Sequence, residues 1–199
     1  QAVLKANPLD FIISRPHDVN TTVLQSAAWY LIIEAARAAA IRLLKGGTLW
    51  VCGNGGSAEQ ANHLVAELVG RYAQERPAFR AFSLAANMST VTAIANDYGW
   101  DAVFSRQLQV GTGADILVAI STSGKSQNIL AALGVARSKG MKTICLGPRD
   151  QAAPMFALAD YKLRAWEFGT PATQENHLIL LHHLAGLVEH LMMNPPEDM

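Results

Sequence analysis

The chain has no excess charge of either sign: sixteen Lys and Arg balance sixteen Asp and Glu over 199 residues. Nucleic-acid binders work through a surplus of cations, so no nucleic-acid partner is expected. The same neutrality removes the repulsion that keeps copies of a monomer apart, which favours self-association. Cysteine is scarce too. Cys52 and Cys145 each sit inside an apolar run and read as small core residues, not as a disulfide. That usage fits a reducing, cytoplasmic location. Long hydrophobic runs are also missing. The longest uncharged greasy stretch, Val23 to Ile33, falls far short of the ~20 residues a membrane span requires. Gln1 to Ser14 lacks the apolar core and small-residue cleavage site of an export signal, so we expect a soluble protein with no membrane partner.

No repeat, low-complexity tract or linker divides the chain. One domain is therefore expected over residues 20–193, with 1–19 as an N-terminal extension and 194–199 as a tail. Half of the residues are hydrophobic, which excludes a disordered polymer. A chain of this length buries roughly 70% of its unfolded surface, enough for a core without staples.

Two hydrophobic patterns alternate. Short β-rich runs lie at Thr48–Cys52, Phe79–Leu84, Asp115–Ile120, Lys142–Leu146 and Tyr161–Ala165. Helical spacing fills the gaps, at about Ser57–Tyr72, Ser89–Asn96, Ser126–Lys139 and Gln151–Leu158. The alternation predicts an α/β fold of three layers, a five-stranded parallel sheet with helices on both faces. Ile116 to Ile120 has no polar alternation, as a strand covered on both sides requires. Two longer helices flank this unit, about Thr21–Lys45 and about Ala172–Met193. The first has cap candidates at Asn20, Thr21 and Thr22 and almost no polar face, so it must be covered on most sides, and a neighbouring subunit is the natural cover.

Chemistry concentrates in four places. Gly53-Asn54-Gly55-Gly56-Ser57 breaks a strand into a glycine-rich turn and then a helix, an arrangement suited to a phosphate and also to a ligand-free tight turn. The loose dinucleotide pattern Gly53-x-Gly55-x-x-Ala58 is present, but no acidic residue closes the second strand at Ser83–Asn87. Ser121-Thr122-Ser123-Gly124-Lys125-Ser126 follows a second strand with four hydroxyls around one point. It is not a Walker loop, because Ala119 stands where the first glycine belongs. Two such loops at one sheet edge suggest a small phosphorylated ligand without a nucleotide base. His63 and Glu67, spaced i, i+4, share a helix face and could hold a metal or a proton. Gln174 and His182 lie two turns apart on the last helix, near His177. A histidine in so leucine-rich a helix is more often a satisfied core residue than a ligand.

Taken in order, Gly53-Asn54-Gly55-Gly56-Ser57, His63-x-x-x-Glu67-Leu68-x-Gly70-Arg71-Tyr72, Asn96-Asp97, Ser121-Thr122-Ser123-Gly124-x-Ser126 and Gln174-Glu175-x-His177-x-x-x-x-His182 closely resemble the phosphoheptose isomerase branch of the sugar isomerase (SIS) domain family. The likeness covers about residues 20 to 193. It implies an aldose–ketose isomerase that turns sedoheptulose 7-phosphate into D-glycero-D-manno-heptose 7-phosphate through an enediol, in heptose precursor biosynthesis. It further implies a homotetramer with shared sites, long N- and C-terminal helices in the oligomer interface, and one zinc ion per subunit on His63, Glu67, Gln174 and His182. Glu67 and His182 would be catalytic. Asn54, Gly55, Gly56 and Ser57 would cradle the sugar phosphate together with Glu67 and Gln174, while Ser121, Thr122, Ser123 and Ser126 hold its phosphate. Asn96 and Asp97 would meet sugar hydroxyls, and Arg71 would enter a neighbour's site.

Two positions depart from the family pattern. Pro171-Ala172-Thr173 stands where Asp-Arg-Ile usually precedes the glutamine, and Lys125 sits inside the phosphate loop. The first departure leaves room for an isomerase of another sugar phosphate. A non-catalytic relative that binds a replication initiator is disfavoured, because those proteins lose the acidic residue and this chain keeps Glu67.

Overall fold

A computed structural model gives the fold over residues 27–196. Five strands, β1 (Leu49–Gly53), β2 (Ala81–Ser83), β3 (Ile116–Ile120), β4 (Lys142–Gly147) and β5 (Tyr161–Arg164), form one sheet in the order β2-β1-β3-β4-β5. All neighbours are parallel, with Leu49 opposite Ala81 and Ile116, and Ile116 opposite Lys142. The helices are α1 (Ala27–Leu44), α2 (Gly56–Val69), α3 (Met88–Tyr98), α4 (Gln127–Ser138) and α5 (Thr170–Met193).

Alternation along each strand sorts the core into two halves. Leu49, Val51, Ile116, Val118, Ile120, Ile144, Leu146 and Leu163 point to the layer of α1, α2 and α5. Cys52, Leu117, Ala119 and Cys145 point to the layer of α3, α4 and short 3-10 turns. Every residue of β3 is buried, as its unbroken apolar run predicts. Both cysteines are free and buried, and burial pushes their thiols far above the usual range, so they are inert packing groups.

Element boundaries differ from the sequence reading at points with local causes. The second strand shrinks to three residues, because β2 is an edge strand paired only with β1 and exposes Phe82. The segment expected as a helix at Gln151–Leu158 is a 3-10 turn, Pro154–Leu158, opened by its proline. α2 stops at Val69, where Gly70 donates back to the Ala66 carbonyl. α5 starts earlier than expected, with Pro171 in its first turn, where the missing N–H costs nothing. The expected helix caps at Asn20, Thr21 and Thr22 lie outside the described residues, and so does residues 1–19. Among the described residues, no helix is long and apolar enough to cross a membrane.

Candidate active site

Strand order places the chemistry. β1 leads to β2 on one side, while β3 begins on its other side, so the loops after β1 and β3 diverge at the point where the winding reverses. That crevice is where doubly wound sheets hold ligands. Asn54–Gly56 leaves β1 and Ser121–Ser126 leaves β3. Gly55 at φ 55° and Gly124 at φ 65° make the two tight turns. Neither following helix is capped by a side chain at its N-cap residue, Gly55 for α2 and Ser126 for α4. The Ser57, Ala58 and Glu59 amides donate to the Asn54 and Gly55 carbonyls and the Ile129 amide to Asn128 Oδ1, so each helix start offers the crevice chiefly the positive end of its dipole.

A residue absent from the sequence reading ties these loops together. Asn128 is buried in the first turn of α4, and its side-chain amide pairs reciprocally with that of Asn54, at 2.9 and 2.8 Å. Ser121 Oγ accepts from the Gly124 amide at 3.0 Å and Ser123 Oγ from the Lys125 amide at 3.3 Å, which fixes the hydroxyl loop. Thr122 and Ser126 are half-buried there, while the Lys125 side chain is exposed. Ser57 is buried at the start of α2.

The i, i+4 face of α2 meets α5. His63 Nε2 lies 3.4 Å from Glu67 Oε1 and 2.9 Å from His182 Nε2, and one donor atom from each of the three falls within 4.8 Å of the others. Two imidazole nitrogens and a carboxylate oxygen are a donor set that zinc accepts. Its bonds of ~2.0–2.2 Å would separate tetrahedral ligands by about 3.3 Å, close to the spacings seen here. The residues fit such an ion. Both Nε2 atoms would then be unprotonated, whereas without an ion one of them must donate its hydrogen to the other. The Tyr72 ring packs 6.1 Å from that of His182.

Gln174, the fourth ligand implied by the family resemblance, sits near the start of α5 beside Gly56. A Cβ added to Gly56 would collide with the Gln174 side-chain amide. Gln60 on α2 secures that end of α5 by donating to the Gln174 carbonyl at 2.7 Å. So the glycine loop, Gln174 and the triad follow one another along the α2–α5 seam. His177, on the same helix, has a different role. It is fully buried, with Nε2 2.9 Å from the Gly147 carbonyl at the end of β4. Burial holds its imidazole below the usual histidine range, with the hydrogen bond pulling partly the other way.

Three further expected residues hold exposed positions. Asn96 and Asp97 are exposed at the end of α3 and bond to each other at 2.8 Å. Arg71 is exposed and lies 3.9 Å from Glu75. Besides Asn128 and Gln60, the sequence reading also missed Arg76 and Glu189. Glu189 did carry a signal, as a lone carboxylate in the apolar run from Leu184 to Leu191.

With this geometry in place, comparison with known proteins is specific. A model of the SIS domain matches residues 20–147. The chain is 46% identical over 163 residues to the phosphoheptose isomerase of Solidesulfovibrio magneticus, covering 81% of this chain and 79% of that one. It is 44% identical over 185 residues to the phosphoheptose isomerase of a Bradyrhizobium strain, covering 91% and 92%. A solved phosphoheptose isomerase from Francisella tularensis superposes with a TM-score of 0.79 at 32% identity, covering 93% of this chain and 100% of that one. The chain belongs to the SIS domain family and, within it, to the phosphoheptose isomerases.

Proposed function

We propose that this isomerase converts sedoheptulose 7-phosphate to D-glycero-D-manno-heptose 7-phosphate, with zinc held by His63, Glu67 and His182 and completed by Gln174. The observation that carries the reading is the convergence of His63, Glu67 and His182 beside two phosphate-suited loops at the switch point. Bound there, zinc would supply a Lewis acid for the sugar carbonyl and the enediol oxygens.

The chain's own groups supply the rest. The Ser121–Ser126 hydroxyls and the positive ends of α2 and α4 bind the phosphate, which fixes the other end of the sugar at the triad. Isomerisation then moves two hydrogens. Glu67 and His182 hold the ion in one state and carry protons in another: as proton carriers, Glu67 takes the proton from the hydroxymethyl carbon and returns it to the former carbonyl carbon, while His182 carries a proton from the first oxygen to the second. Both groups end as they began, so no external oxidant or reductant is needed. Asn96 and Asp97 bind sugar hydroxyls, and Arg71 enters a neighbour's site in a cytoplasmic homotetramer. The exposure of Arg71 supports that last assignment.

The test is turnover of sedoheptulose 7-phosphate before and after a chelator, then with zinc restored. Activity that falls with chelation and returns with zinc supports the whole reading, and activity indifferent to chelation removes the metal. Glu67→Gln and His182→Gln are expected to lower kcat at least ~100-fold with the fold intact. Full activity in either variant takes that residue out of the mechanism.

A further inference from the structure

Arg76 and Glu189 form an ion pair that the chemistry above does not use. Their side chains are 0% and 1% exposed, and Arg76 Nε lies 3.1 Å from Glu189 Oε2. A buried pair is weak ground for stability, since well-packed apolar residues of similar size often serve as well. What this pair holds is more informative. Arg76 Nη2 donates to the Glu67 carbonyl at 2.8 Å, and Nη1 donates to the carbonyls of Leu68 and Gly70 at 2.8 and 3.1 Å. These are the orphan acceptors at the end of α2. Glu189 accepts from the amides of Tyr72 and Ala73 at 2.9 Å and of Gln74 at 3.0 Å. Burial works against its charge, but those amides and Arg76 more than offset it and hold the carboxyl below its ordinary range. The Arg76 guanidinium also stacks 3.8 Å over the Phe79 ring.

The pair therefore bolts the end of α2, at the backbone of Glu67, to α5 about two turns beyond His182. It also seats Tyr72, whose ring rests against His182. We propose that Arg76 and Glu189 are positioning residues, a buried clamp that sets the separation of α2 and α5 and so the spacing of His63 and Glu67 from His182. The inference rests on the metal reading of that triad.

The clamp is tested with the double variant Arg76→Met/Glu189→Met, which removes both charges together and leaves neither unpaired. Melting temperature, Co2+ titration followed by visible absorption, and kcat against KM are read on this variant and on the wild-type chain. The expected result is a lowered but still cooperative melting transition, because the amides and carbonyls that the pair satisfied lose their partners, with cobalt affinity lowered about tenfold, an altered visible spectrum, and a reduced kcat at nearly constant KM. A folded double variant with wild-type cobalt affinity and spectrum overturns the clamp. A wild-type chain that takes up no cobalt overturns the metal reading, and the clamp's role toward it falls as well. Should the double variant not fold, Arg76→Lys keeps the charge without the fork that reaches the Glu67, Leu68, Gly70 and Pro77 carbonyls, and is judged by the same two criteria.

Discussion

Gly56 is a glycine because of space, not backbone angle. Its φ is not in the left-handed region, and the site of a Cβ is taken by the Gln174 amide. Gly56→Ala therefore strains no dihedral, and the flexible end of Gln174 must yield instead. We expect the substitution to leave the melting temperature nearly unchanged and to reduce kcat/KM by roughly tenfold or more, because a small displacement of a positioned group is costly. A variant with full kcat/KM would mean that Gln174 contributes nothing from that place. Asn54 and Asn128 show the opposite economy, since each spends its amide on the other and so aligns two loops that belong to different strands.

Between elements, His177 joins α5 to the end of β4 through the Gly147 carbonyl. Its imidazole is kept neutral by burial, below the ordinary value of about 6.5 that it regains on unfolding. Under mildly acidic conditions the unfolded chain then binds a proton that the folded chain refuses. Stability from this group is complete above pH ~6.5 and is lost as the pH falls toward the folded value. His177→Gln should flatten that part of the pH dependence, measured by urea unfolding between pH 7.5 and 5.5; an unchanged slope would assign it to other groups. His177 and His182 also mark the limit of what the sequence disclosed. Both sit in one leucine-rich helix, and spacing alone does not say which is packing and which is site. The sheet was legible because apolar runs and glycine turns are local signals, and so were the two loops and the His63–Glu67 face. The shortened β2 was not, because its length depends on being an edge. The Arg76–Glu189 pair was not either, since its members lie 113 positions apart and no local pattern links them.

For the whole molecule, the zero net charge and the surface of α1 point the same way. Tyr30 is 70% and Leu31 41% exposed on a helix whose other face, from Ile32 to Leu43, is packed against the core. If that surface is covered by another copy, as proposed, Tyr30→Glu with Leu31→Glu should reduce the mass measured by light scattering toward a smaller species. A mass unchanged by both substitutions would move the interface elsewhere. One consequence of the α2–α5 seam concerns the order in which the molecule comes into being. His63 and His182 are 119 positions apart, with four of the five strands between them in sequence. Such distant partners meet late, after the sheet has closed the intervening chain. On the ribosome, the first histidine is exposed long before the second has been made. A growing or prematurely released chain thus offers only a loose His–Glu pair, too poor to retain a cation. On the metal reading proposed above, capture of the ion becomes a checkpoint that only a finished, correctly wound subunit can pass.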